Sequence, residues 1–364
     1  MDQISKSDAE KQQLRSNDSD GANTDNLKKR KILVTGATGF LGKNVLHALT
    51  GNSSLQVVAA CRDRTKLQDY AGETRIGDLT DAAYRKSVVQ DVDIVCHLGT
   101  WSSFWGHAKK ETSHFYEPCL DLIEQAINAG VKRFLLPSTV AIAQKNKNGE
   151  PIDDFSATAH TGFWPHLDRL VDVDQFMQAN CNRGTQMVTL RLGHFLGAGN
   201  TLGLVPALVP RLRTFLVPWL AGGKKRLAVV SDADLTQGIV KAILNDNLNN
   251  YESFNICGAE FPALREVFTY IADHSNSPKP WYSVPYFAGY AFGWLMESLF
   301  PILPGSSPFL TRSLVHVAED WYCPSDYAKQ KIGYEPSKDW RSAIDESLEE
   351  LEGKGFPWPK LAQS

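Results

Sequence analysis

The chain has 364 residues, 43% hydrophobic and 22% charged, with a formal net charge of -3. That length and apolar content allow a sizeable core, in one large domain or two smaller ones. Lys and Arg are scattered and supply no basic face, which excludes nucleic acid as a partner. The six cysteines, Cys61, Cys96, Cys119, Cys181, Cys257 and Cys323, form no CxxC and have no ligand-spaced histidines nearby. They imply reduced thiols in a cytoplasmic protein and no metal site.

Residues 1–30 are rich in Asp, Asn, Ser, Gln and Lys and lack an apolar stretch, the composition of a disordered tail and not of a signal peptide. Order is expected from "KKRKILVTGATGFLGKNVLHAL". Ile32 to Val34 form a short apolar run, and Leu41, Val45, Leu46 and Leu49 then recur at helical spacing. The glycines between them therefore lie on a strand-to-helix turn. Gly36 and Gly39 let the backbone approach a pyrophosphate, Gly42 permits close helix packing, and the helix N-terminus offers free N–H groups to an anion. Gly36, Thr38, Gly39, Phe40, Leu41 and Gly42 are the expected contacts of a dinucleotide.

A second strand spans Leu55 to Cys61. Arg62 at its end suits a 2′-phosphate, while Asp63 stands one position too late for the usual ribose acid, so NADP is favoured, with NAD as the alternative. Asp78 and Leu79 close a third strand near the adenine. Val92 to Leu98 form a fourth, with Gly99 and Thr100 beside the cofactor. A helix from about His114 to Ala129 leads to "GVKRFLLPST", a fifth strand ending at Ser138 and Thr139. Strands alternating with helices imply right-handed crossovers and an α/β fold, a Rossmann-type doubly wound parallel sheet. Residues 31–200 and about 226–258 are assigned to this domain, and about 201–225 and 259–355 to a smaller C-terminal substrate lobe.

"TGATGFLG", "GDLTD", "DIVCHLGT", "GVKRFLLPST", "LRLGHFLGAGN" and "VVSDADLTQGI" together resemble the extended short-chain dehydrogenase/reductase superfamily, from about Lys31 to about Leu351. The tail, with "SPFLTRSLVHV" and "YAKQKIGYEPS", is similar to the 3β-hydroxysteroid dehydrogenase and sterol 4-carboxylate dehydrogenase branch. The resemblance implies a tyrosine that exchanges a proton with a carbinol oxygen, a lysine four residues later that lowers its pKa, and a serine or threonine on the same oxygen. Thr139, or Ser138 one register away, matches the third group. The other two are missing: "FWPHLDRLVD" puts Trp164 at the tyrosine and Asp168 at the lysine, and a shift of one puts Pro165 opposite Arg169. Phe115, Pro118 and Cys119 replace the family's asparagine and glycine-threonine positions.

An indole N–H donates a hydrogen bond but does not ionise. Imidazole as a type titrates near neutrality, so either His166 or a bound water, with Thr139, is the candidate to replace the tyrosine. Two residues along a helix is about 200°, so His166 reaches the site only if the helix starts irregularly at Pro165. Arg169 and Asp172 are expected to pair on the surface. The literal YxxxK matches, Tyr327 to Lys331 and Tyr334 to Lys338, fall past the sixth strand and read as surface residues. His97 reads as a core histidine, His107 and His114 as neighbours of the cofactor mouth, and His194 as a pocket residue. Trp101, Phe104, Trp105, Phe163 and Trp164 suggest an aromatic-walled cleft, with Trp101, Trp105, Trp164 and His194 as substrate contacts.

Residues 284–303 are largely apolar but interrupted by Pro285, Glu297 and Pro301. They read as a hydrophobic lid or an element resting on a bilayer, and the resemblance implies the latter, a peripheral membrane contact. A homodimer is compatible with the sequence. Three functions follow. One is an NAD(P)-dependent oxidoreductase on a small hydrophobic, sterol-like or polyketide-like hydroxyl or keto substrate, with a non-standard proton donor. The others are a non-redox dehydratase, isomerase or cyclase on the same scaffold, and a catalytically silent NADP-binding protein.

Overall fold

A computed structural model of the chain describes residues 29–145, 149–302 and 305–363. The tail expected over residues 1–30 lies outside the described residues except for its last two positions.

Seven parallel strands form the main sheet: β1 (Arg30–Thr35), β2 (Leu55–Cys61), β3 (Glu73–Ile76), β4 (Ile94–His97), β5 (Arg133–Thr139), β6 (Gln186–Leu192) and a seventh at Tyr251–Ile256. Their spatial order is β3-β2-β1-β4-β5-β6 and then the seventh strand. Helices cover both faces, so β1 and β4 carry unbroken apolar runs and not an alternating pattern.

One face of the sheet packs on α1 (Phe40–Leu49) and on the helix Asp232–Leu244, through Val45, Leu46, Leu49, Leu235 and Ile239. The other packs on Glu117–Asn128 and Pro165–Asn180, through Cys119, Leu122, Ile123, Val171 and Met177. A third cluster contains Val205, Leu208, Trp219, Leu264, Val267, Trp340 and Ile344. It draws on the helices Leu204–Leu212, Leu264–His274 and Trp340–Glu352.

The chain leaves β1 toward β2 and β3, then returns to the opposite side for β4. The crevice outside the carboxyl ends of β1 and β4 is where such sheets take ligands.

The helix expected from about His114 begins earlier. Ala108–Glu111 is α-helical, Thr112–Tyr116 is a π-turn, and Glu117–Asn128 resumes the α-helix. A π-turn adds a residue to the winding and shifts the face presented by everything before it. The apolar segment expected over 284–303 forms a helix at Tyr286–Leu299 and a 3-10 turn at Phe300–Ile302. Residues 303 and 304 lie outside the described residues. Among the described residues no helix is long and apolar enough to cross a membrane.

Candidate functional site

A cavity of ≈ 670 Å³ opens at the carboxyl ends of β1, β4, β5 and β6 and runs on into the lobe. Its first half is built by the glycine turn. Gly36 has φ +62°, and a Cβ there would stand 2.5 Å from the Gly99 nitrogen. A Cβ on Gly42 would stand 2.1 Å from the Gly36 oxygen. Any side chain would wedge the turn away from the loop after β4 or from α1. Gly39, the residue before α1, makes no side-chain cap, so the first N–H groups of the helix are left for an anion.

Thr38, Gly39, Phe40, Leu41, Gly42, Arg62, Asp78, Leu79 and Gly99 all line this half. Asp63 is spent on a local turn, its carboxylate accepting from the N–H and Oγ1 of Thr65. Arg62 is exposed, 4.0 Å from Asp78. Beneath the cradle, Thr35 Oγ1 accepts from the Gly99 N–H and lies 2.8 Å from His97 Nδ1. Burial holds the His97 imidazole at a pKa of about 4, so it is a neutral core histidine.

The second half brings together Ser138, Thr139, Trp101, Trp164, His166 and His194. Trp164 precedes the helix Pro165–Asn180 with φ -117° and ψ 92°. It is therefore not on the helix, the 200° separation does not apply, and Trp164 and His166 both face the cavity. The Trp164 indole N–H is committed to the Ser103 carbonyl at 2.7 Å, and its ring stacks on Phe104.

His166 Nδ1 lies 3.0 Å from Oε2 of Glu111, a carboxylate with no exposed surface, whose Oε1 accepts from Ser103 Oγ at 2.8 Å. With Nδ1 facing Glu111, the Nε2 atom is left for another partner. Thr139 Oγ1 accepts from the Ala141 N–H. Ser138 Oγ and His194 Nε2 are buried without a protein partner, and both residues line the cavity; orphaned buried polar atoms call for a water or ligand partner. Burial pulls the His194 pKa down to about 4, so it stays neutral.

Asp168, at the lysine position, faces elsewhere. It accepts from the N–H and Oγ1 of Thr161 and from the Gly162 N–H, tying down the start of its own helix. Arg169 pairs with Asp172 at 2.9 Å.

The model of the NAD-dependent epimerase/dehydratase family matches residues 32–257. The chain belongs to that family. Its members bind a nicotinamide dinucleotide, and the uncapped helix start and the Gly36–Gly99 cradle fit one. A sterol-4-alpha-carboxylate 3-dehydrogenase (decarboxylating) of Dictyostelium discoideum is 24% identical over 87% of this chain and 99% of its own length. A ketoreductase of Stigmatella aurantiaca, named for a farnesylated 3-oxo-dihydroquinoline-1-oxide, is 22% identical over 84% and 91%. These relatives support oxidoreductase-type chemistry in general.

Among solved structures, the UDP-glucose 4-epimerase of Thermotoga maritima superposes with TM-score 0.67 at 17% identity, covering 89% of this chain and 99% of that one. The UDP-glucuronic acid 4-epimerase of Bacillus cereus, solved with NAD, gives 0.65 at 16% over the same shares. At such identities the likeness shows the fold.

Within this family frame several expectations are corrected. Trp105 does not line the cavity: its ring packs edge-on against Phe300 at 4.7 Å, just before the chain reverses through positive φ at Gly106 and His107. Phe163 likewise packs on Tyr290 and His316, outside the cavity. Tyr334 is no surface residue. It is fully buried and donates to the Cys257 carbonyl, while Tyr327 donates to Glu252, and neither lines the cavity.

Sequence reading missed Glu111, Ser103 and Arg211. Glu111 sits in a Lys-Lys-Glu turn that looks solvated, and the π-turn after it breaks the helical phase that would have marked it as inward-facing.

Proposed function

We propose that the chain is an NADP-dependent oxidoreductase acting on a hydroxyl or keto group of an apolar, sterol-like or polyketide-like substrate, with His166 as the proton donor and acceptor. The observation that carries this reading is the His166–Glu111 pair at the cavity wall that also holds Ser138 and Thr139. A buried carboxylate behind an imidazole fixes its tautomer and stabilises the imidazolium, the arrangement expected of a general acid–base. The dinucleotide, when bound, supplies hydride chemistry. His166 gives a proton to the substrate oxygen on reduction and takes it back on oxidation, and Ser138 Oγ, lacking a protein partner, hydrogen-bonds the same oxygen. Thr139 holds the backbone that positions Ser138.

The substrate-side wall is apolar, and the relatives named for a sterol and for a farnesylated ketone are consistent with a large apolar skeleton. Arg62 is the group for a 2′-phosphate, since Asp63 is already engaged. The helix Tyr286–Leu299 and the adjoining Trp281, Phe215 and Leu216 expose aromatic and aliphatic side chains. This patch rests on a lipid surface, from which an apolar substrate enters.

The test is NADPH oxidation followed by absorbance against a panel of linear and cyclic apolar ketones. His166→Asn is expected to lower turnover roughly a hundred- to ten-thousandfold, and Glu111→Gln by a smaller factor, both with cofactor affinity unchanged. An unaltered rate in His166→Asn would overturn the assignment.

A further inference from the structure

The helix Leu204–Leu212 turns Leu204, Ala207, Leu208 and Arg211 toward the cavity, the i, i+3, i+4, i+7 face of a helix. Its first residue follows the loop whose Gly199 lies against Phe40 of the glycine turn, so this end adjoins the cofactor half. Arg211 stands seven residues further on, about 10 Å along the helix axis. Val217, Leu264, Phe268, Phe309 and Leu310 are apolar members of the same cavity wall.

Arg211 is only 5% exposed. Its guanidinium donates to three backbone carbonyls, those of Ala207, Pro308 and Phe309, and lies over the Trp358 ring at 5.1 Å. An arginine has five N–H donors, so one on each terminal nitrogen is left over. Neutral carbonyls orient the cation without cancelling its charge, and among the described residues no carboxylate lies within ion-pairing distance of it. A buried cation without a counter-charge is costly to maintain. Desolvation lowers its pKa to about 10, which still leaves it charged at neutral pH.

We infer that Arg211 binds a carboxylate carried by the substrate at the end remote from its reacting oxygen. The inference rests on the reading of the cavity as a site for an apolar substrate and adds its class: an amphipathic molecule, with an apolar body along the 204–208 face and an anionic terminus in the lobe. The planar fork of a guanidinium matches a carboxylate better than a point cation would. The carbonyls that pin it also fix its position before the ligand arrives.

Calorimetry on the full chain with NADPH bound, using decanoate and decan-1-ol as probes, tests this. Decanoate is expected to bind at least tenfold more tightly than decan-1-ol. Arg211→Gln should abolish the preference while leaving decan-1-ol affinity within about twofold, and Arg211→Lys should retain part of it. Equal affinities in the unaltered protein, a comparison that needs no variant, overturn the carboxylate site while leaving the apolar-substrate reading intact. A preference that survives in folded Arg211→Gln overturns it as well. Failure of both probes to bind overturns both readings.

Discussion

At the scale of single residues, the glycine cradle fits the dinucleotide that the family binds, and Trp164 stands where the sequence match expects the tyrosine. Trp164 fills the tyrosine position, but its N–H is already used by the Ser103 carbonyl, so it closes the wall and donates nothing to a ligand. In the proposed reading the proton-carrying role falls to His166, since a backbone carbonyl occupies the Trp164 N–H and a buried carboxylate orients the imidazole. Arg62 belongs to the same scale. It is 77% exposed at the side chain, and solvent screening weakens a charge contact there. Arg62→Ala is expected to reduce the preference for NADP over NAD by about 1 kcal/mol, roughly fivefold. Equal dissociation constants for the two cofactors in the unaltered protein would show that Arg62 does not select between them.

At the scale of elements, two local irregularities decide which side chains meet. The extended backbone at Trp164 lets it and His166 share the cavity, where a helix continued through both would have separated them. The π-turn at Thr112–Tyr116 delivers Glu111 to the interior beneath His166. The helix Tyr286–Leu299 presents a different case. It buries only Gly289 and Gly293 and leaves Phe287 and Trp294 exposed. An apolar helix without a protein partner on that side fits an interfacial position. Phe287→Glu with Trp294→Glu should lower co-sedimentation with phosphatidylcholine vesicles several-fold without moving the melting temperature. Unchanged vesicle binding would mean that this surface does not meet lipid.

For the whole molecule, the central sheet contains a histidine that folding keeps neutral. His97 is buried beside Thr35, and its pKa falls from 6.5 to about 4. The sign follows from proton counting. Below pH 6.5 the unfolded chain binds a proton that the folded chain refuses until about pH 4. The stability present above 6.5 is therefore lost as pH falls through that window. Relative to His97→Gln, the unaltered protein should lose up to about 1.4 kcal/mol per pH unit between 6.5 and 4, and about 3 kcal/mol in all. Parallel pH profiles in urea denaturation would show that His97 titrates alike in both states.

What the sequence determined by itself was the part governed by short-range periodicity and steric need. "TGATGFLG" between an apolar run and a helical repeat specified the cradle, because only glycine fits where Gly36 meets Gly99 and Gly42 meets Gly36. The apolar runs from Ile32 to Thr139 specified parallel strands covered on both faces. The pairing of Arg169 with Asp172 was legible too. Only the tertiary structure decided what stands behind His166 and what stands opposite Arg211. Glu111 and His166 are 55 residues apart, and Arg211 and its carbonyl partners Pro308 and Phe309 almost a hundred. Burial of a charge depends on what the rest of the chain packs against it, and no local pattern records that. The same limit made Trp105 look like a pocket wall and Tyr334 like a surface residue: each side chain's partners, Phe300 and Cys257, come from distant segments that only the folded chain brings near.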